Sequence, residues 1–231
     1  MKTIAELKEK YTTYSIKDLL AALSNDFEGR VAFSSSMGAE DQVITHLIAE
    51  GAISVRLFTI DTGRMFEETY EVIEKTRLRY KVPMEIYFPD YRRVEPMIKE
   101  RGVNLFYQNI ENRKLCCFNR KIEPLQRALQ HTSIWITGLR AEQSVNRAAM
   151  ELFEWDEVYQ VIKVNPLLYW TLQEVWDFIK LHHIPYNALH DKLFPSIGCE
   201  PCTIAVKEGE DIRSGRWWWE QGKKECGLHG K

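Results

Sequence analysis

Two adjacent cysteines, Cys116 and Cys117, and a C-x-x-C pair, Cys199 and Cys202, make up four of the five cysteines in this chain. Four thiols in two close pairs suit a metal or an iron–sulfur centre. Adjacent cysteines are awkward for one tetrahedral zinc, whose paired ligands usually stand about two to four residues apart. A cubane offers several irons, so neighbouring thiolates can bind different ones, and the pattern favours [4Fe–4S]. The alternative is four buried apolar thiols. The fifth cysteine, Cys226, stands alone in Glu225-Cys226-Gly227-Leu228-His229, close to Lys223 and Lys224. Nearby cations lower a thiol pKa from about 8.5, and the thiolate is the nucleophile. The cysteines therefore divide into a centre that binds and a thiol that reacts, an inert surface thiol being the alternative for Cys226.

A second group of residues could hold an anion. Ser34, Ser35, Ser36, Met37 and Gly38 follow the apolar run Val31-Ala32-Phe33 and precede a helical pattern. Such a strand-to-helix turn offers backbone N–H groups and three hydroxyls at a helix N-terminus. It matches neither G-x-x-x-x-G-K-[ST] nor G-x-G-x-x-G, and a serine-rich connection is the plain alternative. Lys121 follows Cys117 by one helical turn. Arg140 and Arg147 flank Gln143-Ser144, and Arg213 and Arg216 follow the C-x-x-C pair.

These groups need a scaffold. The chain has 231 residues, 45% hydrophobic and 28% charged, with a net charge of −2. That is enough for one sizeable core, and it excludes a global basic field for nucleic acid. The first ten residues carry acids and no long apolar stretch, so they read as neither signal nor transit peptide. No window approaches about 18 consecutive apolar residues, so no membrane span is expected. A cytoplasmic location is the default, where paired cysteines serve as ligands or redox groups and not as structural disulfides.

Ser15-Ile-Lys-Asp18 reads as a helix start, with Leu19, Leu20 and Leu23 on its apolar face. Strands are predicted at 30–33, 55–60, 84–88, 133–137 and 161–164. Helices are predicted at 39–50, 66–80, 113–130 and 171–182, Pro124 kinking or breaking the third. Alternating strands and helices indicate an α/β class with a parallel sheet flanked by helices. Ligand loops then gather outside the carboxyl ends of the strands. From Pro195 the pattern stops, which divides the chain into an α/β domain at 1–194, with N-terminal helices in 1–28, and a C-terminal segment at 195–231. Trp217, Trp218 and Trp219 cannot all face one core; anchoring of the tail is the expected role, contact with a partner protein being the alternative for some of them. His46, His131, His182, His183 and His190 read as structural or surface residues.

Ser34-Ser-Ser-Met-Gly-Ala-Glu-Asp41, Asp61-Thr-Gly63, Gly138-Leu-Arg-Ala-Glu-Gln-Ser144 and Glu225-Cys-Gly-Leu-His229 together resemble the assimilatory adenylyl-sulfate/phosphoadenylyl-sulfate reductases. The resemblance spans nearly the whole chain, from about Val31 to His229, its motifs in the family's order. It implies an adenine-nucleotide α-hydrolase-like (PP-loop) fold, which makes the domain at 1–194 nucleotide-binding, with an irregular, mobile C-terminal tail. It implies a modified PP-loop at Ser34, Ser35, Ser36 and Gly38, with serines where pyrophosphatase relatives carry glycines. It implies one [4Fe–4S] cluster per chain on Cys116, Cys117, Cys199 and Cys202. It implies that Lys121, Arg147, Arg213, Arg216 and His229 line the sulfate and phosphate pocket.

The mechanism implied is attack of Cys226 on the sulfate sulfur of adenosine 5'-phosphosulfate. AMP leaves and an S-sulfocysteine enzyme remains. No thioredoxin-like domain follows Cys226, so a separate reductant, thioredoxin or glutaredoxin, would release sulfite in sulfate assimilation. The cluster would act structurally and electrostatically. Specificity for the 3'-phosphorylated nucleotide, or for both, is the nearest rival. A PP-loop tRNA-thiolation enzyme and a four-cysteine zinc module for nucleic acid are more distant ones. No nucleic acid or membrane partner is expected, and a homo-oligomer is left open.

Overall fold

The computed structural model describes residues 4–143, 147, 149–207 and 209–220. The elements run α1 (Ile4–Tyr11), α2 (Ile16–Asp26), β1 (Val31–Ser34), α3 (Ala39–Glu50), β2 (Arg56–Ile60), α4 (Glu67–Tyr80) and β3 (Met84–Tyr87). They continue with α5 (Tyr91–Arg101), α6 (Ile110–Cys117), a π turn (Phe118–Ile122), α7 (Glu123–Ala128), β4 (Ile134–Ile136), β5 (Phe153–Asp156), β6 (Val161–Val164) and α8 (Leu172–Leu181).

The six described strands form one sheet in the order β3-β2-β1-β4-β6-β5. β1 pairs in parallel with β2 and β4, and β4 with β6. β5 runs antiparallel to β6 at the edge. The chain moves outward from β1 to β3, then returns to β4 on β1's other side. This makes β1 and β4 the switch point, where an open α/β sheet leaves a crevice beyond its strand ends. The α/β sheet class expected from the sequence is the one observed.

Two compact units divide the chain, and their segments alternate along it. The first comprises Met1–Thr59, Val72–Glu85 and Leu129–Asn187; the second comprises Ile60–Glu71, Ile86–Ala128 and Ala188–Lys231. The segment from 195 onward thus belongs to the second unit, together with the helices at 91–128.

The first unit has the larger core, in which Leu20, Leu23, Val43, Ile44, Ile134 and Ile136 are wholly buried. Each such side chain contributes about 1.5–3 kcal/mol of burial. Ser15 caps α2, accepting from the Asp18 N–H at 3.2 Å. Thr171 and Glu174 close a reciprocal capping box at α8.

The helical stretch predicted at 113–130 begins earlier, at Ile110, and is interrupted by the π turn. Asn109 caps it, its side chain accepting from Asn112 N–H at 2.8 Å. Pro124 explains the interruption: its ring crowds the carbonyl four residues back, and the wider turn gives it room. Among the described residues no helix is long and apolar enough to cross a membrane.

Candidate active site

In the first unit, β1 ends at Ser34 and the chain turns through Ser35–Gly38 into α3. Met37 sits at φ 63°, in the left-handed region that non-glycine residues seldom adopt. Surrounding bonds hold it there. Asp41 Oδ2 accepts from both the N–H and the hydroxyl of Ser36, each at 2.6 Å. Ser35, 3% exposed, accepts from the Met37 N–H at 3.2 Å. Ser34 accepts from Trp135 Nε1 at 2.8 Å, which leaves its own proton to give.

The three hydroxyls expected to face an anion therefore divide. Those of Ser35 and Ser36 brace the loop from within, and only Ser34 keeps a hydroxyl proton for a ligand. Gly38 caps α3 without a side chain. The first-turn N–H groups of α3 carry no side-chain cap and, with the helix dipole, are suited to an anion.

Asp41 is 6% exposed. Burial pushes its carboxyl up to about 6; the bonds from Ser36 pull the other way, and the neighbouring Glu40 charge adds to the rise. Gly138, at the end of β4, packs on this carboxylate and donates its N–H to it. A Cβ at Gly138 would lie 2.1 Å from Asp41 Oδ1, so only glycine fits. Asp41 thus holds the loop backbone. Arg140, 2% exposed, donates from Nε to Glu40 at 2.8 Å and from NH1 to Glu142 at 2.7 Å. Arg147 is also buried and donates to Gln143.

In the second unit, α6 carries Cys116 and Cys117, and a 3-10 turn at Glu200–Cys202 carries Cys202, with Cys199 at its N-cap. All four are free thiols. Cys116, Cys199 and Cys202 share an apolar cluster with Met97, Leu105, Phe106 and Trp217. Burial raises the Cys202 thiol, and the charges of Cys199, Cys117 and Cys116 raise it further. The two pairs, far apart in sequence, are therefore electrostatic neighbours. Burial also raises Cys116, opposed chiefly by Arg120.

Polar groups surround these thiols. Thr62 Oγ1 lies 3.3 Å from Cys199 Sγ, and Arg120 donates to the Thr62 carbonyl at 2.7 Å. Arg113 forms a forked pair with Glu220, both bonds 2.9 Å, and its guanidinium lies 4.9 Å from the Trp217 ring. Arg216 faces the same ring, also at 4.9 Å, and is 7% exposed. Its guanidinium packs on Gly198, where a Cβ would meet NH2 at 2.2 Å. Asp61 accepts from Gly63 N–H at 2.7 Å and from the Tyr70 hydroxyl at 3.0 Å. Arg64 reaches the Val103 carbonyl at 2.9 Å and stacks near Phe106, so it is a brace within this unit.

The donor set fits an iron–sulfur group. Among the described residues, no three His, Cys, Asp or Glu side chains are arranged to hold a single metal ion. Four neighbouring thiols are the ligand chemistry that a thiolate-bound cluster requires. The buried Nε of Arg120, Nε of Arg216 and Nε1 of Trp219 have no hydrogen-bond partner. Buried N–H groups ordinarily find acceptors, and a sulfide-rich group would supply them.

Lys121 and Arg213 are half-buried in this unit. Trp217 is 2% exposed, Trp219 packs on Tyr107 with ring centroids 4.5 Å apart, and Trp218 is 49% exposed. Anchoring is thus shared by two of the three tryptophans. Cys226, His229 and Ser144 lie outside the described residues. Sequence reasoning missed Arg113, Arg120 and Glu220; Arg120 stands three residues after Cys117, but nothing in that spacing marks its carbonyl partner or its proximity to Cys116.

A family model for the phosphoadenosine phosphosulfate reductase domain matches residues 30–205. The chain belongs to this family. Among its relatives, the adenosine 5'-phosphosulfate reductase of Allochromatium vinosum is 46% identical over 213 residues, covering 92% of this chain and 83% of the relative. That of Burkholderia cepacia is 45% identical, with 92% and 85% covered. The crystal structure of a phosphoadenylyl-sulfate reductase from Candida auris matches with a TM-score of 0.75 at 26% identity, over 88% of this chain and 98% of that one. The FMN adenylyltransferase of Candida glabrata shares the fold alone, with a TM-score of 0.56 at 17% identity, over 92% of this chain and 77% of that one. Membership makes the protein a reductase-family enzyme, as the motifs from Ser34 to Ser144 implied.

Proposed function

We propose that the protein reduces adenosine 5'-phosphosulfate to sulfite and AMP, with Cys226 as nucleophile and a dithiol protein such as thioredoxin as reductant. The observation that carries this reading is the similarity, at 42–46% over most of the chain, to relatives named for that reaction. The switch-point loop at Ser34–Gly38 supports it, since uncapped N–H groups at a helix start suit a nucleotide phosphate.

In the proposed reaction the Cys226 thiolate attacks the sulfate sulfur. The S–O bond to the phosphate breaks, AMP leaves with that electron pair, and Cys226 carries an S-sulfonate. A reductant thiolate then attacks Cys226 Sγ, and sulfite departs with the S–S bonding pair. The reductant's second thiol resolves the mixed disulfide, so the dithiol supplies both electrons and Cys226 returns as a thiol. Lys121, Arg147, Arg213, Arg216 and His229 are assigned to the charge on the sulfonyl oxygens and the departing phosphate. Cys116, Cys117, Cys199 and Cys202 would hold a [4Fe–4S] cluster, which would tie α6 to the segment carrying the C-x-x-C pair and act structurally and electrostatically. A reducing compartment, the cytoplasm, suits thiols kept free for these roles.

Sulfite release measured separately from the unphosphorylated and the 3'-phosphorylated nucleotide tests the reading. Turnover with the first and little with the second supports it. Turnover only with the second would move the protein to the specificity named for the Candida auris structure. Turnover with neither overturns it.

A further inference from the structure

Arg147 is assigned above to the substrate's charge, and the structure shows how it is held. Gln143 stands between it and the first turn of α3. Gln143 Oε1 accepts from the Arg147 guanidinium and, at 3.2 Å, from the Arg140 N–H. Gln143 Nε2 donates to Glu40 Oε1 at 3.0 Å. Both ends of the amide are therefore occupied, its oxygen toward two donors and its nitrogen toward a carboxylate, so its orientation is determined. Glu40 is itself fixed by Arg140 Nε on the same oxygen. The helix that opens at the phosphate loop and the turn after β4 are thus joined through one side chain.

We propose that Gln143 is a positioning residue that presents Arg147 to the substrate phosphate, with Glu40 setting the direction of its amide. The amide oxygen orients the Arg147 guanidinium, while the amide nitrogen is held by Glu40, which Arg140 also engages. The inference rests on the substrate role given to Arg147, and the experiment separates the two.

The probe is AMP, its affinity measured by calorimetry on the full chain with its iron content and thermal transition recorded. Arg147→Ala and Gln143→Leu are each expected to weaken AMP about tenfold, the effect of losing one ionic hydrogen bond. The double variant should lose little more than either single one, because both remove the same contact. Gln143→Glu keeps the acceptor for Arg147 but sets two carboxylates together, the new one against Glu40. Its affinity relative to the parent should fall at pH 8 and recover toward pH 5, where the new carboxyl, once protonated, can donate to Glu40; among the described residues Arg140, Arg147, Glu142 and Asp41 are the other charged groups nearby, and the parent shares all of them. A purely structural role would not produce that recovery. Gln143→Leu binding AMP as the parent does, while Arg147→Ala binds it poorly, overturns the inference alone. Additive losses in the double variant also overturn it. Unchanged binding in both single variants overturns the substrate role of Arg147, and a parent that does not bind AMP overturns the proposed function.

Discussion

The phosphate loop and the cysteine pocket solve opposite problems. Around Ser34–Gly38 the described polar groups are satisfied from within: Ser36 by Asp41, Ser35 by Met37, Arg140 by Glu40 and Glu142. The loop is braced by its own side chains, and its remaining donors are the Ser34 hydroxyl and those a helix start always leaves. Around Cys116 and Cys202 the opposite holds. Three buried N–H groups, on Arg120, Arg216 and Trp219, stand without acceptors, and burial raises two thiols. A region satisfied by its own side chains is a template for a transient ligand. A region with unmet donors and four neighbouring thiols suits a resident group such as the proposed cluster.

The largest expected effect breaks the second region. Cys116→Ser removes one of four ligands, and the variant should lose the absorption near roughly 400 nm expected of a thiolate-bound cluster, its iron and its activity together. An iron-free variant with full activity would leave the pocket with no resident group to explain.

Next comes Glu220→Ala. The side chains of Glu220 and Arg113 are only 10% and 9% exposed, and removing one strands a buried charge. About 3 kcal/mol of stability should be lost, read as a shift in the urea midpoint. A shift like that of a surface pair, under about 1 kcal/mol, would mean that this pair is solvated after all.

Gly138→Ala tests the first region. The added Cβ would overlap Asp41 Oδ1, so the turn or the loop must move. A loss of about 2 kcal/mol is expected, with weaker AMP binding and unchanged iron. Loss of iron instead would show that the two regions are not separable in this way.

The smallest effect is a change of sign with pH. Asp41 ionises at about 6 in the folded chain against an ordinary value of 3.8, so the folded chain holds this proton more tightly than the unfolded one. Its contribution to stability is therefore greatest below the unfolded value, falls as pH rises to about 6, and is flat above. Asp41→Asn removes the charge but also one acceptor for Ser36. The variant should be more stable than the parent by about 1 kcal/mol at pH 8 and less stable by a similar amount near pH 4. Parallel stability curves would contradict the burial of an ionised Asp41.

How much of this was legible differs between the regions in the same sense. The strand–loop–helix rhythm around Val31–Glu50 is local, so periodicity places β1, the loop and α3 almost to the residue. The edge strand Phe153–Asp156 was missed, since its pattern depends on its antiparallel neighbour β6. The helix α5 was missed as well: Pro96 lies inside it and its exposed face is charged. The cysteine pairs could be read as a set from their spacing. Their supports could not, because Thr62, Arg120, Arg113 and Glu220 meet through tertiary packing over long sequence separations. Asp41 stood within a quoted motif, yet its partner Gly138 is visible only in the sheet.

The division of labour among the cysteines is tested most directly by mass spectrometry of the holoenzyme after incubation with adenosine 5'-phosphosulfate and no reductant. The account predicts one added SO₃ group per chain, carried by the peptide containing Cys226, removed on adding thioredoxin with release of sulfite. Sulfite formed with no sulfonate ever found on Cys226, or a sulfonate found on Cys116, Cys117, Cys199 or Cys202 instead, would contradict it.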